Sequence, residues 1–590
     1  MPKNRSQINA NFKWHLEDIC PSNERWEEIF EEIKASIPEF SKYSGKLNDD
    51  DMLLECLQKC TKVGHDLSHI YQYAHMRKDE DTRVSMYQAM DNRVDQLGVM
   101  LSSAQSFIMP EINELSVEKL EALANDKKFE DYSLLFKHII RDKAKILSKA
   151  EESILSEIGS FAGTPSNVFS MFDNADIKFK PVMVDGKEVE MSHGMYSVLM
   201  MNENRDVRKA AFESMFNAFK DHINTLAAVY DGNCKTDWFY AKIRKFNTCM
   251  DASLYYEEVP SVCYENLIKA VNSGTKALHK YIDYKCKVLG VKDPEMYDIY
   301  VPLIQSQNVK YSYKNAVYLV KSALKVMGKE YSDILASAFE EGWIDVYENK
   351  GKRSGAYSWG CYGVHPFVLL NFNGTTHDVF TIAHELGHSM HSYYSNLNQC
   401  EEKADYKIFV AEIASTVNEV LLLKHLLKSA KGDMRKYLLC YYLEMFRTTL
   451  FRQTQFAEFE LIAHTAVEKG IPLTAEYLSD EYYKLNKKYY GAKISSDLIK
   501  YEWARIPHFY TSFYVYKYAT GITAAVSIAT NLLKYGEKYF EKYKKFLSAG
   551  CTLPPLEILK LADVDLTSEE PFKKAMKEFA DTLNELMKDE

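Results

Sequence analysis

Three histidines and a glutamate crowd one short stretch, TIAHELGHSMHSYYS, Thr381 to Ser395. His384 and His388 stand four residues apart, which on a helix sets them about 40° apart on one face, so both imidazoles can reach one metal ion. Glu385 projects at the edge of that face, where it can hold and deprotonate a water without itself ligating the metal. This H-E-x-x-H spacing suits zinc-assisted hydrolysis, although so short a pattern also arises in purely structural helices. A catalytic zinc needs a third protein ligand and an open position, and FVAEIASTVNE supplies Glu412, 24 residues beyond His388. That interval leaves room for a loop and a returning helix. Glu419, seven residues further along the same helical face, can accept the second ring N–H of a ligand histidine, or it can simply be solvated.

Two neighbouring patterns test how much spacing alone is worth. His391 also falls on the metal-facing side of the helix, but a third consecutive helical ligand would crowd one side of the ion, so it is not expected to bind. A metzincin site would need Gly at 391 and His at 394, and those positions hold His391 and Tyr394. HDLSH, His65 to His69, repeats the histidine spacing with the shorter Asp66 in place of glutamate and no third ligand at comparable distance. It reads as structural.

The elements that must position these residues are mostly helices. From about Trp26 to Ser170 apolar residues recur every three or four positions, and Gly (24) and Pro (15) are sparse in a chain of 590. IKFKPVMVDGKEVEM alternates about Asp185-Gly186, a pair that permits a tight hairpin turn. A second strand-like break, Ser354 to Gly374, precedes the histidine helix. An extended peptide could add to an exposed edge there, with the backbone of Gly355, Ala356 and Tyr357 offering main-chain hydrogen bonds. A division is expected after the hairpin, giving an N-terminal helical lobe, 1–195, and a catalytic domain, 196–590. Lys and Arg (73) against Asp and Glu (83) leave a net charge of −10 with no basic block, which speaks against nucleic acid and anionic membranes as partners. YATGITAAVSIATNLL, Tyr518 to Leu533, is too short to span a bilayer and reads as a buried helix. Eleven scattered cysteines and an N-terminus without an apolar core are expected of a cytoplasmic protein with reduced thiols.

Four stretches together, GKRSGAYSWGCYGVHPFVLLNF, DVFTIAHELGHSMHSYYS, FVAEIASTVNE and WARIPHFYTSFYVYKYATG, resemble the thimet oligopeptidase family of zinc metallopeptidases. The resemblance runs over nearly the whole chain. It implies a mainly α, bilobed zincin enclosing a deep substrate channel, with a small β-sheet beside the H-E-x-x-H helix, one zinc ion per chain, and oligopeptide substrates. It implies His384, His388 and Glu412 as metal ligands, Glu385 as catalytic base and Glu419 as the acid behind a ligand. It also implies His508 as a substrate contact and a tyrosine among Tyr510, Tyr514 and Tyr516 at the oxyanion, with Tyr516 favoured. Phe513 stands where a hydroxyl would be expected. Two other readings stay open: a thermolysin-like or aminopeptidase-type zincin, separated by where peptides are cut, and a non-catalytic peptide-binding protein with structural zinc.

Overall fold

The computed structural model describes residues 3–304, 309–494 and 496–588, and helices dominate it. The expected hairpin is present. β1 (Val182–Val184) pairs antiparallel with β2 (Lys187–Val189), and Asp185 and Gly186 between them both take positive φ, 49° and 76°. The second strand-like stretch contributes to a three-stranded sheet of β3 (Ile344–Asp345), β4 (Tyr357–Trp359) and β5 (Phe367–Leu369). Its order is β3-β5-β4, with β5 parallel to β3 and antiparallel to β4, so β4 is an edge strand. The Tyr518–Leu533 stretch lies within a helix, Tyr516–Tyr535, and is largely buried.

Compactness gathers the chain into two units, neither of them one continuous stretch. The first comprises 1–145, 308–425 and 528–563, the second 146–307, 426–527 and 564–590. The expected division at 195 and 196 is therefore not a boundary between these units. The first unit is interleaved because its helices close over a strand that comes much later. Trp26, Phe30, Phe40, Ile70 and Phe136 share one apolar core with Phe367 and Leu369 of β5. Buried charges tie the same parts together: Asp345 of β3 meets Arg5 at 2.5 Å and the fully buried Lys352 at 2.7 Å.

Two helices run close together, and the first of them packs on β4 and β5. α1 (Thr376–Asn398) starts at a capping box in which Thr375 accepts from the Asp378 N–H and the Asp378 carboxylate accepts from the Thr375 N–H. Val379, Phe380, Ile382, Ala383, Leu386 and Met390 bury its apolar face. α2 (Ile408–Ser429) buries Val410, Ile413, Ala414, Val417 and Leu421. β4 is pinned to α1 by the hydroxyls of Ser358 and Ser389, 2.8 Å apart.

Candidate metal centre

The chemistry-bearing residues of α1 and α2 meet because the two backbones come unusually close. A Cβ at Gly387 would lie 2.5 Å from the Cα of Ser415 and 2.6 Å from the carbonyl oxygen of Ala414. Only glycine fits there. Asn418 then clamps the pair, its Nδ2 donating to the Ala383 carbonyl at 3.0 Å and its Oδ1 accepting from the buried Tyr331 hydroxyl at 3.3 Å.

This approach brings three ligand atoms together. Nε2 of His384 and Nε2 of His388 are 3.2 Å apart, and each is 3.4 Å from Oε2 of Glu412. A tetrahedron with metal–ligand bonds of about 2.05 Å has edges of about 3.3 Å. Three lone-pair-bearing atoms at those separations repel one another unless a proton or cation lies among them, and their spacing fits a tetrahedral metal with one vertex left free of protein. Among the described residues no other group of three or more His, Cys, Asp or Glu side chains converges in this way.

The surroundings complete the arrangement. Nδ1 of His384 lies 2.5 Å from Oε1 of Glu419, which orients the ring and leaves Nε2 facing His388 and Glu412. Ser415, on the turn after Glu412, donates to Oε2 of that carboxylate at 3.1 Å. Burial opposes a charge on His384, but hydrogen bonds to Glu412 and Glu419 push its pKa up to about 10. Glu412, half exposed, is held well below the usual carboxylate range by its hydrogen bonds to the two histidines. The field that favours a proton on His384 favours a cation among the three ligands. Glu385 is 8% exposed, and burial raises its pKa, partly offset by His384 and His388.

His391 takes no part. It is buried, stacked on Tyr406 at 3.7 Å, and burial pushes its pKa down to about 3. The HDLSH pair is also structural: Nδ1 of His65 meets Glu401 at 3.0 Å, and Nε2 of His69 meets the Tyr362 carbonyl at 2.8 Å. Gly355 (φ 86°) and Ala356 lead into the edge strand and, with His377, Asp378 and Thr381 of α1, line a small cavity of about 190 Å³. Tyr357 is held from behind, its hydroxyl donating to Asp79 at 2.9 Å.

The tyrosine-rich stretch lies in the second unit and corrects one expectation. Tyr516 is fully buried, packed on Tyr264, with its hydroxyl 3.4 Å from Glu257. It offers no hydroxyl to a substrate. His508 is exposed, and its Nε2 lies 3.5 Å from the hydroxyl of the half-buried Tyr518, with Tyr514 packed on both rings. Tyr510 is stacked on Phe169 at 4.4 Å. The turn between these tyrosines is set by Phe513, whose φ of 58° is held by its N–H donating to Glu460 at 3.0 Å. Sequence reasoning missed Gly387, Ser415, Asn418 and Tyr518. Only Tyr518 carried a visible signal, as one more hydroxyl of the same aromatic run.

Comparison with known proteins places these features. The chain matches the model of peptidase family M3 over residues 198–578 and that of oligopeptidase F over residues 111–179. Oligopeptidase PepF of Bacillus subtilis is 42% identical, covering 99% of this chain and 88% of that protein. Oligoendopeptidase F of Lactococcus lactis subsp. cremoris (plasmid) is 39% identical, covering 100% and 99%. The crystal structure of oligoendopeptidase-F from Enterococcus faecium aligns with a TM-score of 0.73 at 34% identity, covering 96% of this chain and 99% of that one. A crystal structure of a protein from Chlamydophila abortus aligns with a TM-score of 0.96, also at 34% identity, covering 100% of both chains. Helical fold and H-E-x-x-H site thus define a metal-dependent peptidase. The chain belongs to peptidase family M3, as a metalloendopeptidase that hydrolyses oligopeptides. Neither the thermolysin-like or aminopeptidase reading nor that of a non-catalytic binder is favoured beside this membership.

Proposed function

We propose that the metal is a single zinc ion held by His384, His388 and Glu412, and that Glu385 is the base with which the chain hydrolyses internal bonds of short, unfolded peptides. The observation that carries this reading is the triangle of ligand atoms with 3.2, 3.4 and 3.4 Å sides, which matches a tetrahedral ion bound by imidazole and carboxylate. When bound, the ion supplies Lewis acidity to the peptide carbonyl and to the attacking water. Glu385, adjacent to both histidines on α1, takes a proton from that water as its oxygen adds to the carbonyl carbon. It then returns the proton to the amide nitrogen as the C–N bond breaks. Glu419 holds the His384 ring in the ligating tautomer throughout.

The β4 edge and the backbone of Gly355 and Ala356 lie beside α1 in the first unit, a placement suited to aligning an extended peptide through main-chain hydrogen bonds without reading its side chains. His508 is proposed to donate to the developing oxyanion together with Tyr518 or Tyr514, which are half-buried where Tyr516 is fully buried. One such donor is worth roughly 3 kcal/mol of transition-state stabilisation. The eleven cysteines are all free, and no described helix is long and apolar enough to cross a membrane. Free thiols suit a reducing compartment, so the cytoplasm is the proposed location.

The test is cleavage of an end-blocked, internally quenched oligopeptide by the wild type and Glu385→Gln, with products located by mass and metal content measured in both. Internal cleavage by the wild type alone, at one zinc per chain in each protein, is expected. Substantial turnover by the variant would remove Glu385 from the role of base.

A further inference from the structure

Away from the metal ligands, the second unit encloses a cavity of about 550 Å³ whose charges do not balance. Lys285, Arg447, Arg452 and Arg505 all line it, and each leans on one of two carboxylates. Lys285 and Arg447 share Glu444, which they meet at 2.9 and 2.7 Å. The Tyr281 hydroxyl donates to Glu444 as well, at 2.6 Å, so both of its oxygens are taken. Arg452 and Arg505 share Glu502, at 2.6 and 3.4 Å. Four cations thus face two carboxylates. The surplus charge is also not in open water, for the Lys285 and Arg447 side chains are only 2% and 4% exposed.

The unspent hydrogen-bonding capacity sits on the same residues. Nη1 of Arg447 and Nε of Arg505 are buried without a partner. An unpaired buried guanidinium N–H is costly, and a native fold seldom leaves two on the wall of one cavity without something to receive them. The backbone singles out Arg447 as well. It is the first residue of a π-helical segment, Arg447–Phe451, set between the α-helices Gly432–Phe446 and Arg452–Glu468. Such interruptions re-aim a side chain and recur at functional sites. The rest of the wall is apolar and aromatic, with Met200 and Leu303 beside the rings of Tyr196 and Tyr300, over which Arg505 and Arg447 lie at 5.4 and 5.3 Å.

We propose that this cavity is a binding site for a small oxyanion carried on an apolar body, a phosphate monoester or a carboxylate, whose oxygens accept from Arg447 and Arg505 while its body lies against the tyrosines. The volume is in the range of sites for small organic molecules. Planar guanidinium forks suit either headgroup.

The probes are phenyl phosphate, phenylacetate and inorganic phosphate, each titrated calorimetrically into the full-length, metal-loaded protein. At least one of the two organic anions is expected to bind saturably at one site, roughly tenfold or more tighter than to Arg447→Met, the loss expected when a charge-assisted hydrogen bond is removed. Which of the two binds identifies the headgroup. Should Arg447→Met fail to fold, Arg505→Met carries the same expectation, since Glu502 keeps Arg452. Binding is also expected to survive removal of the metal by chelator. Failure of both organic anions to bind the wild type, equal binding by the arginine variants, disappearance on stripping the metal, or inorganic phosphate matching the best organic probe would each overturn the proposal.

Discussion

Gly387→Ala asks the most of the interpretation, because it adds one methyl group, changes no charge and leaves every proposed ligand in place. The added Cβ would stand 2.5, 2.6 and 2.7 Å from backbone atoms of Ser415 and Ala414. Backbone on both sides cannot swing away as a side chain would, so α1 and α2 must part by about 1 Å to restore ordinary contact near 3.5 Å. Overpacking of this kind costs roughly 1–3 kcal/mol, offset by about 1 kcal/mol from alanine's better helix propensity. The variant should therefore fold with only a modest loss of stability. Its metal site has less tolerance. Two ligand atoms bound at about 2.05 Å cannot be more than about 4.1 Å apart. Parting the helices by about 1 Å along those edges would take the 3.4 Å separations from Glu412 to either histidine beyond that limit. Metal affinity should fall by at least the roughly 10–100-fold seen when a ligand merely loses its orienting partner. Equilibrium dialysis against a buffered zinc series, with peptide cleavage in parallel, reads this directly. Gly159→Ala, at an exposed helical position with nothing within 4 Å of the new Cβ, is the control and should if anything stabilise. A Gly387→Ala protein that binds zinc and cleaves peptide like the wild type would refute the close-packed-helix account of the site.

Other perturbations separate the remaining roles. Glu419→Gln should weaken metal binding by roughly 10–100-fold through His384, and zinc competition would detect it; unchanged affinity would make Glu419 a bystander. Tyr518→Phe should lower kcat more than it raises KM, whereas Tyr516→Phe should act on stability, seen in urea unfolding, with little effect on kcat; the reverse pattern would restore Tyr516 to the oxyanion. Glu460 gives a pH dependence. Burial raises its pKa to about 8, against the opposing pull of His464, the Phe513 N–H and Lys517 and with the help of Asp237. A carboxyl with a raised folded-state pKa lends stability that is full below its unfolded value and is lost as pH rises to about 8, by about 1.4 kcal/mol per pH unit within that window. Glu460→Gln keeps an acceptor for Phe513 and should flatten this slope in urea titrations at pH 5 and 8.5; an unaltered slope would place the titration elsewhere.

What could be read from the sequence follows the range of the interactions concerned. His384, Glu385 and His388 are related by the geometry of one helix, so their spacing alone fixed their relation, and the capping box at Thr375 and Asp378 marks where that helix begins. Glu412 was legible because a catalytic metal needs a third ligand, and Glu419 because it falls seven residues further along the same helical face. Gly387, by contrast, is only a variable position of the H-E-x-x-H pattern until α2 is laid against α1, and nothing local distinguishes Asn418 from a solvated amide. Tyr516 fails for a related reason. An aromatic run does not say which rings are core, and the left-handed residue Phe513 turns the chain just before it, so counting forward from His508 loses the face. The first 145 residues show the same limit at larger scale. Their periodicity announces buried faces, yet the apolar partner completing that core includes β5, more than 220 residues later. Periodicity reports that a surface is covered and is silent on what covers it. The unbalanced cavity extends the point to charge: Arg447 and Arg505 are unremarkable as letters, and only the fold brings them to one wall with donors to spare.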